Sequence, residues 1–369
     1  MKFECGRDDI TGAVNNAQKA VSAKSNVPQL EGIEITAGFN SIVIFGSDNE
    51  IGVECTFAAL VEQTGAAVVN ARLFSDIVRN LQGDSVTVET MDNTKIRISS
   101  AGAVFNIFTI QTDTFPKFPV FEQTRMYEID RLTLKRMFTQ TSFAISTDET
   151  RKALTGLLLE SANGELRAVA VDGFRIALRK QPVDPEGAWF KMIIPARTVN
   201  ELIKIIPSDM GDLRLYGGDN QAVIEFDGTR VYTRIIEGEF FNYRYILPNE
   251  HMTQIIVNKQ LLQDAIERAA LIISSELIKR YPVRINVADG YISVYSRSDV
   301  GNADNEIDVE MEGEPIELAF NPRFLIETLR AVEDEKIIMR FTTRVGQCVI
   351  KRINNDNYTY LILPVKVSE

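Results

Sequence analysis

The carboxylates of Asp148, Glu149 and Asp172 are the side chains best suited to chemistry in this sequence. Carboxylate oxygens bind divalent cations, and cations held in this way can support hydrolysis. The first two lie in a Ser-Thr-Asp-Glu-Thr-Arg stretch that equally fits a capped turn with an ion pair. Because their spacing matches no ligand motif, we favour the structural interpretation. A carboxylate–metal nuclease or hydrolase acting on nucleic acid stays open as the alternative function.

The other reactive residue types exclude the common catalytic classes. His251 is the only histidine, so neither a histidine-based triad nor a histidine-rich metal site is expected. Cys5, Cys55 and Cys348 have no metal or redox spacing, which predicts buried, reduced thiols. The sequence contains no glycine-rich phosphate loop. We therefore expect no catalytic residue, no metal and no cofactor.

One stretch occurs three times and organises the chain. Its copies contain Arg72, Arg197 and Arg323, at intervals of 125 and 126 residues. Apolar residues recur at the same offsets after each arginine, which predicts one buried helical face used three times. The residues of this face are Phe74, Ile77, Val78 and Leu81, then Val199, Leu202, Ile203 and Ile206, then Leu325, Thr328, Leu329 and Val332.

A second helical pattern near the start of each copy recurs in the same way. It begins at Ile10, Leu134 and Leu262, each preceded by a cation. Two helices and many alternating strands per copy predict an α+β fold with antiparallel sheets. We therefore predict three tandem domains of one fold, two helices packed on antiparallel sheets in each, over residues 1–121, 126–248 and 249–369.

The composition suggests a soluble protein whose charge is unevenly distributed. The chain has 369 residues, of which 45% are hydrophobic, and a formal net charge of −11. No run is long enough to span a membrane and no signal peptide is evident, so we expect a cytoplasmic protein without a membrane partner. Each of the six predicted helices nevertheless carries a net positive charge. This pattern suits a protein that meets a polyanion on one surface, although solvated basic helices are an equal alternative.

Several stretches together resemble the bacterial DNA polymerase III β subunit family, the replication sliding clamps. They are Phe143–Gly156, Val171–Ala177, Glu237–Pro248 and Leu363–Val367, and the similarity covers the whole chain in register. The resemblance implies a non-catalytic processivity factor for DNA replication. It further implies a head-to-tail homodimer that closes into a ring of six clamp domains around double-stranded DNA, with helices lining the hole.

The resemblance also implies DNA contacts that are independent of sequence. It places Lys24 and Arg72 at DNA-contact positions, and likewise Asp148, Lys152 and Ala153, although Asp148 and Ala153 depart from the residue types of the family there. A ring that holds DNA topologically needs only weak electrostatic contact, which permits sliding. We predict that Lys24, Arg72, Arg197 and Arg323 carry this contact, with help from Lys152.

A peptide pocket between the second and third domains is the other implied site. It would take short linear peptides from the DNA polymerase III α subunit, the clamp loader and repair proteins. The residues carried over are Leu154, Val171, Gly173, Phe174, Arg175, Ile176, Phe241, Tyr245, Ile246, Gln347, Leu361, Leu363, Pro364, Val365 and Lys366. Arg175 and Lys366 would meet polar or acidic groups of the peptide. A repeat scaffold that binds peptides but never DNA stays open as a third interpretation.

The resemblance assigns the dimer interface to the first domain of one protomer and the third domain of its partner. Phe105 and Ile107 match interface positions in the first domain, and Leu271 and Ile272 match them in the third. Lys95 and Arg97 would face the acidic run from residue 299 to residue 310. A head-to-tail contact of this kind pairs a basic surface with an acidic one.

Overall fold

The computed structural model describes residues 1–22, 24–92, 94–111, 114–120, 126–183, 190–218, 220–273 and 282–366. Within these ranges it contains six α-helices, one in each of the six stretches predicted to be helical. None of the described helices is long and apolar enough to cross a membrane. The helices are α1 Arg7–Ala17, α2 Ala71–Asn80, α3 Arg131–Thr139, α4 Ala196–Ile205, α5 Lys259–Ala270 and α6 Pro322–Ala331.

The repeated helical face is buried in all three copies. Every predicted face position of α2, α4 and α6 is buried except Ile203, which is half-buried. Asparagine begins two of these helices: the Asn70 side chain accepts a hydrogen bond from the Leu73 amide, and Asn321 accepts one from the Arg323 amide. Such caps satisfy amides that the helix itself leaves without acceptors.

The strands lie in antiparallel ladders throughout the described residues. The first thirteen are β1 Lys2–Gly6, β2 Gly32–Ala37, β3 Ser41–Ser47, β4 Ile51–Ala58, β5 Leu60–Gln63, β6 Gly65–Asn70, β7 Ser85–Asp92, β8 Lys95–Ser100, β9 Ala103–Phe108, β10 Met126–Asp130, β11 Gly156–Ala162, β12 Glu165–Val171 and β13 Arg175–Pro182. The others are β14 Phe190–Pro195, β15 Asp212–Gly217, β16 Gln221–Phe226, β17 Thr229–Arg234, β18 Thr253–Asn258, β19 Val283–Ala288, β20 Tyr291–Ser298, β21 Gly301–Asp308, β22 Glu310–Gly313, β23 Ile316–Phe320, β24 Lys336–Phe341, β25 Cys348–Lys351 and β26 Tyr358–Ile362.

One compact unit comprises residues 1–132 and 201–235. It holds a five-stranded sheet, in the order β5-β1-β7-β8-β9, and an eight-stranded sheet, in the order β10-β15-β16-β17-β4-β3-β2-β6. Because β17 pairs with β4, with Thr229 opposite Cys55, the larger sheet joins strands from the first and second sequence copies. Helix α1 packs on β3 and β4 and against α2.

The other compact unit comprises residues 133–200 and 236–369, so the division falls within α3 and α4. It holds a nine-stranded sheet, in the order β14-β11-β12-β13-β26-β25-β24-β18-β22, and a four-stranded sheet, in the order β21-β20-β19-β23. The pairing of β13 with β26, which sets Arg175 opposite Ile362, joins the second and third copies. The predicted domain limits at residues 121 and 369 lie outside the described residues, and the three sets of limits stay a prediction.

The cysteines are free and buried, as predicted. Burial raises the pKa of the Cys5 thiol to about 12 and that of Cys55 to about 11. Cys348 is fully enclosed, and its pKa is also raised by burial. Since the thiolate is the reactive form, these residues belong to the core rather than to a redox site.

Candidate functional site

An apolar cleft opens in the unit of residues 133–200 and 236–369. Its volume is about 140 Å³. Most of its lining is hydrophobic, which suits apolar side chains of a partner better than a polar metabolite. The lining residues are Arg151, Leu154, Val171, Gly173, Phe174, Arg175, Ile176, Phe241, Ile246, Leu361 and Leu363. All but Arg151 are among the pocket residues carried over from the family resemblance.

The turn between β12 and β13 positions one rim of the cleft. The Asp172 carboxylate accepts hydrogen bonds from the amides of Phe174 and Arg175, both at 3.0 Å. Gly173 has a φ of +88°, a backbone conformation that residues with a Cβ atom rarely adopt. The turn therefore holds Phe174 outward, where the ring is 59% exposed.

Arg175 supports this rim from beneath. Its side chain is 5% exposed and donates from Nε to Asp172 at 2.8 Å and from Nη2 to the Phe143 carbonyl at 2.6 Å. An ion pair at 2.6 Å joins Nη1 to Glu327 on α6. Burial acts to raise the pKa of Glu327, but the hydrogen bond from Arg323 and the nearby charge of Arg175 outweigh it and hold that pKa below its usual value. Because this buried guanidinium already has two hydrogen-bond acceptors and an ion-pair partner, it supports the cleft wall rather than meeting a partner's acidic group.

Phe324 on α6 extends the same rim, and the sequence analysis did not include it. Its ring stacks on Phe174 with the centroids 6.1 Å apart, and the Arg175 guanidinium lies 4.5 Å from its centroid. The sequence shows that Phe324 directly follows Arg323 in the repeated helix. Its position beside Phe174 was not visible there, because it depends on how α6 packs against β26.

The segment from residue 239 to residue 247 contributes Phe241 and Ile246 to the lining of the cleft. Phe240 and Tyr243 are buried and anchor it, whereas Phe241 and Ile246 are about two-fifths exposed at the cleft, at 41% and 39%. The Tyr243 hydroxyl donates to Glu160 on β11 at 2.8 Å. Burial, together with this carboxylate, raises the pKa of Tyr243 to about 12, so the hydroxyl keeps its proton.

The remaining predicted pocket residues lie at the margin. Tyr245 is 88% exposed and does not line the cleft. The Gln347 amide is 3.5 Å from the Ile246 carbonyl. Past β26, the Leu363 amide donates to the Phe174 carbonyl at 2.8 Å and the Val365 amide donates to the Ala319 carbonyl at 2.7 Å. These bonds fix the course of the chain through Pro364 to Lys366, and Val367 lies outside the described residues.

The carboxylates considered as metal ligands are used in local structure. Asp148 caps a short 3-10 stretch and accepts from the Thr150 amide and hydroxyl. Asp172 is paired with Arg175. Within the described ranges, no three histidine, cysteine or acidic side chains are grouped so as to hold a metal ion. The carboxylates of Asp148 and Asp172 are thus both engaged by nearby protein groups.

The five predicted DNA-contact cations are exposed, and three of them share one helical position. Arg72, Arg197 and Arg323 each occupy the second residue of their helix. A cation there opposes the helix dipole, at a cost of about 0.3–1 kcal/mol. The helix dipole therefore does not explain why three helices share this arrangement. Lys24 and Lys152 lie in non-α-helical segments.

The predicted interface residues flank two sheet edges. Strand β9 forms one edge of the five-stranded sheet, with Phe105 38% exposed and Ile107 buried. Strand β21 forms one edge of the four-stranded sheet. Leu271, which caps α5, is 84% exposed, and Ile272 beside it is half-buried. Exposed edges and exposed apolar side chains of this kind favour association with another chain.

Known proteins match the chain from end to end. Models of the DNA polymerase III beta subunit match its N-terminal domain to residues 1–119, its central domain to residues 128–242 and its C-terminal domain to residues 244–366. The beta sliding clamps of Halalkalibacterium halodurans and Bacillus subtilis are each 30% identical over 99% of this chain and 100% of their own length.

Solved structures agree with these relatives. A putative DNA polymerase III beta subunit from Eubacterium rectale superposes with a TM-score of 0.93 at 33% identity, covering 99% of both chains. The DNA polymerase sliding clamp from Bacillus subtilis superposes with a TM-score of 0.94 at 29% identity, covering all of both chains. The predicted fold of three tandem clamp domains is thereby confirmed.

Proposed function

The chain belongs to the DNA polymerase III β subunit family of sliding clamps, non-catalytic factors for processive DNA synthesis, and we propose that it works as a closed homodimeric ring. In this ring, domains 1–121, 126–248 and 249–369 of each protomer surround double-stranded DNA without reading its sequence. The observation that carries the proposal is that α2, α4 and α6 each have an arginine as their second residue and bury the same face. These helices lie in a chain that clamp-domain models match along nearly its whole length. We propose that the ring acts in the cytoplasm, together with the DNA that is replicated there.

Retention on circular DNA tests the ring directly. A protein that encircles DNA stays bound to a circle through gel filtration in salt that breaks electrostatic contacts, and it leaves when the circle is cut once. A carboxylate–metal nuclease would instead degrade the circle, and a peptide-binding scaffold would not be retained. Equal loss from cut and intact circles would overturn the proposal.

The arginines at the helix starts should set the salt dependence of DNA binding. Each phosphate neutralised contributes about 0.9 to the slope of log affinity against log salt. The double variant Arg72→Ala, Arg197→Ala removes four arginines from the dimeric ring, so it is expected to reduce that slope by up to about 3.6 in fluorescence anisotropy, equally for duplexes of different sequence. Lys336→Ala is the matched control, because this exposed lysine on β24 is 3.8 Å from Glu310. An unchanged slope in the double variant would contradict the assignment.

We propose that β9 of one protomer meets β21 and the end of α5 of its partner. The exposed β21 side chains Asp304, Glu306 and Asp308 are acidic. Lys95, beside β9, is exposed and lies 5.2 Å from the Phe108 ring centroid. Opposite charges on the two edges favour a head-to-tail arrangement, which closes when the same contact forms twice.

Leu271→Asp should dissociate this dimer. Burying a leucine contributes roughly 1.5–3 kcal/mol, and a ring closed by two identical interfaces loses that amount twice. Sedimentation velocity at micromolar concentration is expected to show monomer for Leu271→Asp and dimer for Val345→Asp. Val345 is a fair control because it is also 84% exposed but lies in the turn between β24 and β25. Dimers in both variants would refute the interface.

We further propose that the cleft takes short linear peptides of the DNA polymerase III α subunit, the clamp loader and repair proteins. Its apolar lining and the neighbouring Phe174–Phe324 stack offer places for the apolar side chains of an extended peptide. Since Arg175 is occupied by protein acceptors, Arg151 is the better partner for an acidic group, because it is exposed and lines the cleft. Lys366, also exposed, stays a second candidate.

A further inference from the structure

The carboxylate of Glu327 on α6 is shared by two arginines that belong to different sites. Its Oε1 lies 2.7 Å from Nε of Arg323, whose side chain is 70% exposed. Its Oε2 lies 2.6 Å from Nη1 of Arg175, whose side chain is 5% exposed. One side chain therefore links a solvent-facing cation at the start of α6 to the wall of the apolar cleft.

Arg175 determines the shape of the cleft rim through its contacts. The Asp172 carboxylate and the Phe143 carbonyl hold two of its nitrogens, and Glu327 holds the third. The guanidinium lies over the Phe324 ring, which stacks on Phe174 at the rim. A change in how Glu327 holds Arg175 is therefore transmitted to the aromatic pair that borders the cleft.

We infer that Glu327 is a positioning residue that couples DNA contact at Arg323 to the peptide affinity of the cleft. This inference rests on the proposed function. A DNA phosphate that attracts Arg323 draws this arginine away from Glu327. The Glu327 carboxylate then interacts with Arg175 alone, so it holds the Arg175 guanidinium more firmly against the Phe324 ring. A cleft with a fixed rim loses less freedom on binding, so a peptide binds more tightly when DNA is present. By linkage, the peptide strengthens DNA binding by the same factor.

Among the charged groups that the structure describes near α6, Glu327 is the one whose contacts join Arg323 to Arg175. Asp172 interacts with Arg323 as well, but its carboxylate is committed to the turn amides of Phe174 and Arg175. The other α6 ion pair, Arg330 with Glu267 at 3.0 Å, has no contact with Arg175 among the bonds of the described residues. Glu327→Gln removes the shared charge at constant shape, and Glu267→Gln removes a charge from the same helix pair without touching the chain of contacts.

The test compares peptide affinity with and without DNA. A fluorescein-labelled peptide from the DNA polymerase III α subunit is titrated with the full-length dimer by anisotropy, alone and with a saturating short duplex at low salt. For the wild type we expect the duplex to tighten peptide binding about fivefold, within the usual range of coupling between sites. Glu327→Gln is expected to bring this ratio to about one, whereas Glu267→Gln keeps it.

The ratio separates positioning from mere structural support. A structural role for Glu327 would weaken peptide binding equally with and without DNA, and so leave the ratio unchanged. A wild-type ratio of one, or the same ratio in Glu327→Gln as in wild type, overturns the inference while leaving the clamp function intact. Failure of the wild type to bind the peptide or the duplex at all would refute the proposed function itself, and the inference with it.

Discussion

Ile246→Asp is expected to weaken binding of a DNA polymerase III α subunit peptide by about a hundredfold. Ile246 lines the cleft and is 39% exposed, so the substitution places a carboxylate among Leu154, Phe241 and Leu363 without disturbing the core. The peptide loses an apolar contact and must also desolvate the new charge. Together these cost about 3 kcal/mol, which corresponds to that change in affinity. Calorimetric titration with the peptide measures the change.

Tyr245→Asp is the matched control for this prediction. Tyr245 is the neighbouring residue but is 88% exposed and lies outside the cleft lining. Its substitution should change peptide affinity by less than about threefold, and both variants should remain dimeric. If Tyr245→Asp weakened binding as strongly as Ile246→Asp, the peptide would have to lie across the outer surface of the segment rather than within the cleft.

The helices and their buried faces were predictable from the sequence because their pattern is local. Apolar residues three and four positions apart determine which face of α2, α4 and α6 packs inward, and each copy repeats the pattern independently. The asparagine caps before α2 and α6 act within three residues of the helix start. Such signals do not depend on the fold of the remaining chain.

The sharing of sheets between sequence copies was not predictable, because it depends on strand registers set far apart in the chain. The pairing of β17 with β4 joins residues more than 170 positions apart, as the contact of Thr229 with Cys55 shows. The pairing of β13 with β26 likewise fixes Leu361 opposite Ile176. No periodicity specifies which edge strands meet, so the junction that creates the cleft appears only in the fold.

The cleft has residues that the sequence predicted and contacts that it did not predict. The family resemblance supplied ten of the eleven residues that line the cleft, because most of these residues lie within the sequence motifs that carry the resemblance. Arg151 was considered in the sequence only as part of a possible capped turn with an ion pair, and not as a pocket residue. In the structure its backbone leaves the 3-10 conformation, at φ −116° and ψ 69°. Arg175 was expected to face a partner, and only the packing of α6 shows that its nitrogens are already bound.

Glu160→Ala is expected to cause the largest loss of stability among these substitutions. Glu160 lies on β11 and is 8% exposed. Its carboxylate accepts hydrogen bonds from the Tyr243 hydroxyl at 2.8 Å and from Arg244 at 2.6 Å, and it lies 3.6 Å from Arg167. Removing the carboxylate leaves the buried Tyr243 hydroxyl without its acceptor. It also takes one of two nearby carboxylates from Arg167, whose side chain is 17% exposed. Arg244 is 56% exposed and can turn to water, so the expected loss is about 3 kcal/mol, the lower end for a broken buried pair.

The loss should also reach the peptide site, because Tyr243 and Phe240 anchor the segment that carries Phe241 and Ile246. Urea unfolding followed by circular dichroism is expected to show a lowered midpoint for Glu160→Ala, together with weaker peptide binding under native conditions. Glu165→Ala is the control: it removes an ion pair with the same Arg167 at 2.6 Å, but Glu165 is 36% exposed, so the expected cost is below about 1 kcal/mol. Tyr243→Phe, which removes only the hydroxyl, should cost about 1 kcal/mol. Equal midpoints for Glu160→Ala and Glu165→Ala would show that the segment is held by the packing of Phe240 and Tyr243 alone, and that the carboxylate beneath it does not order the cleft wall.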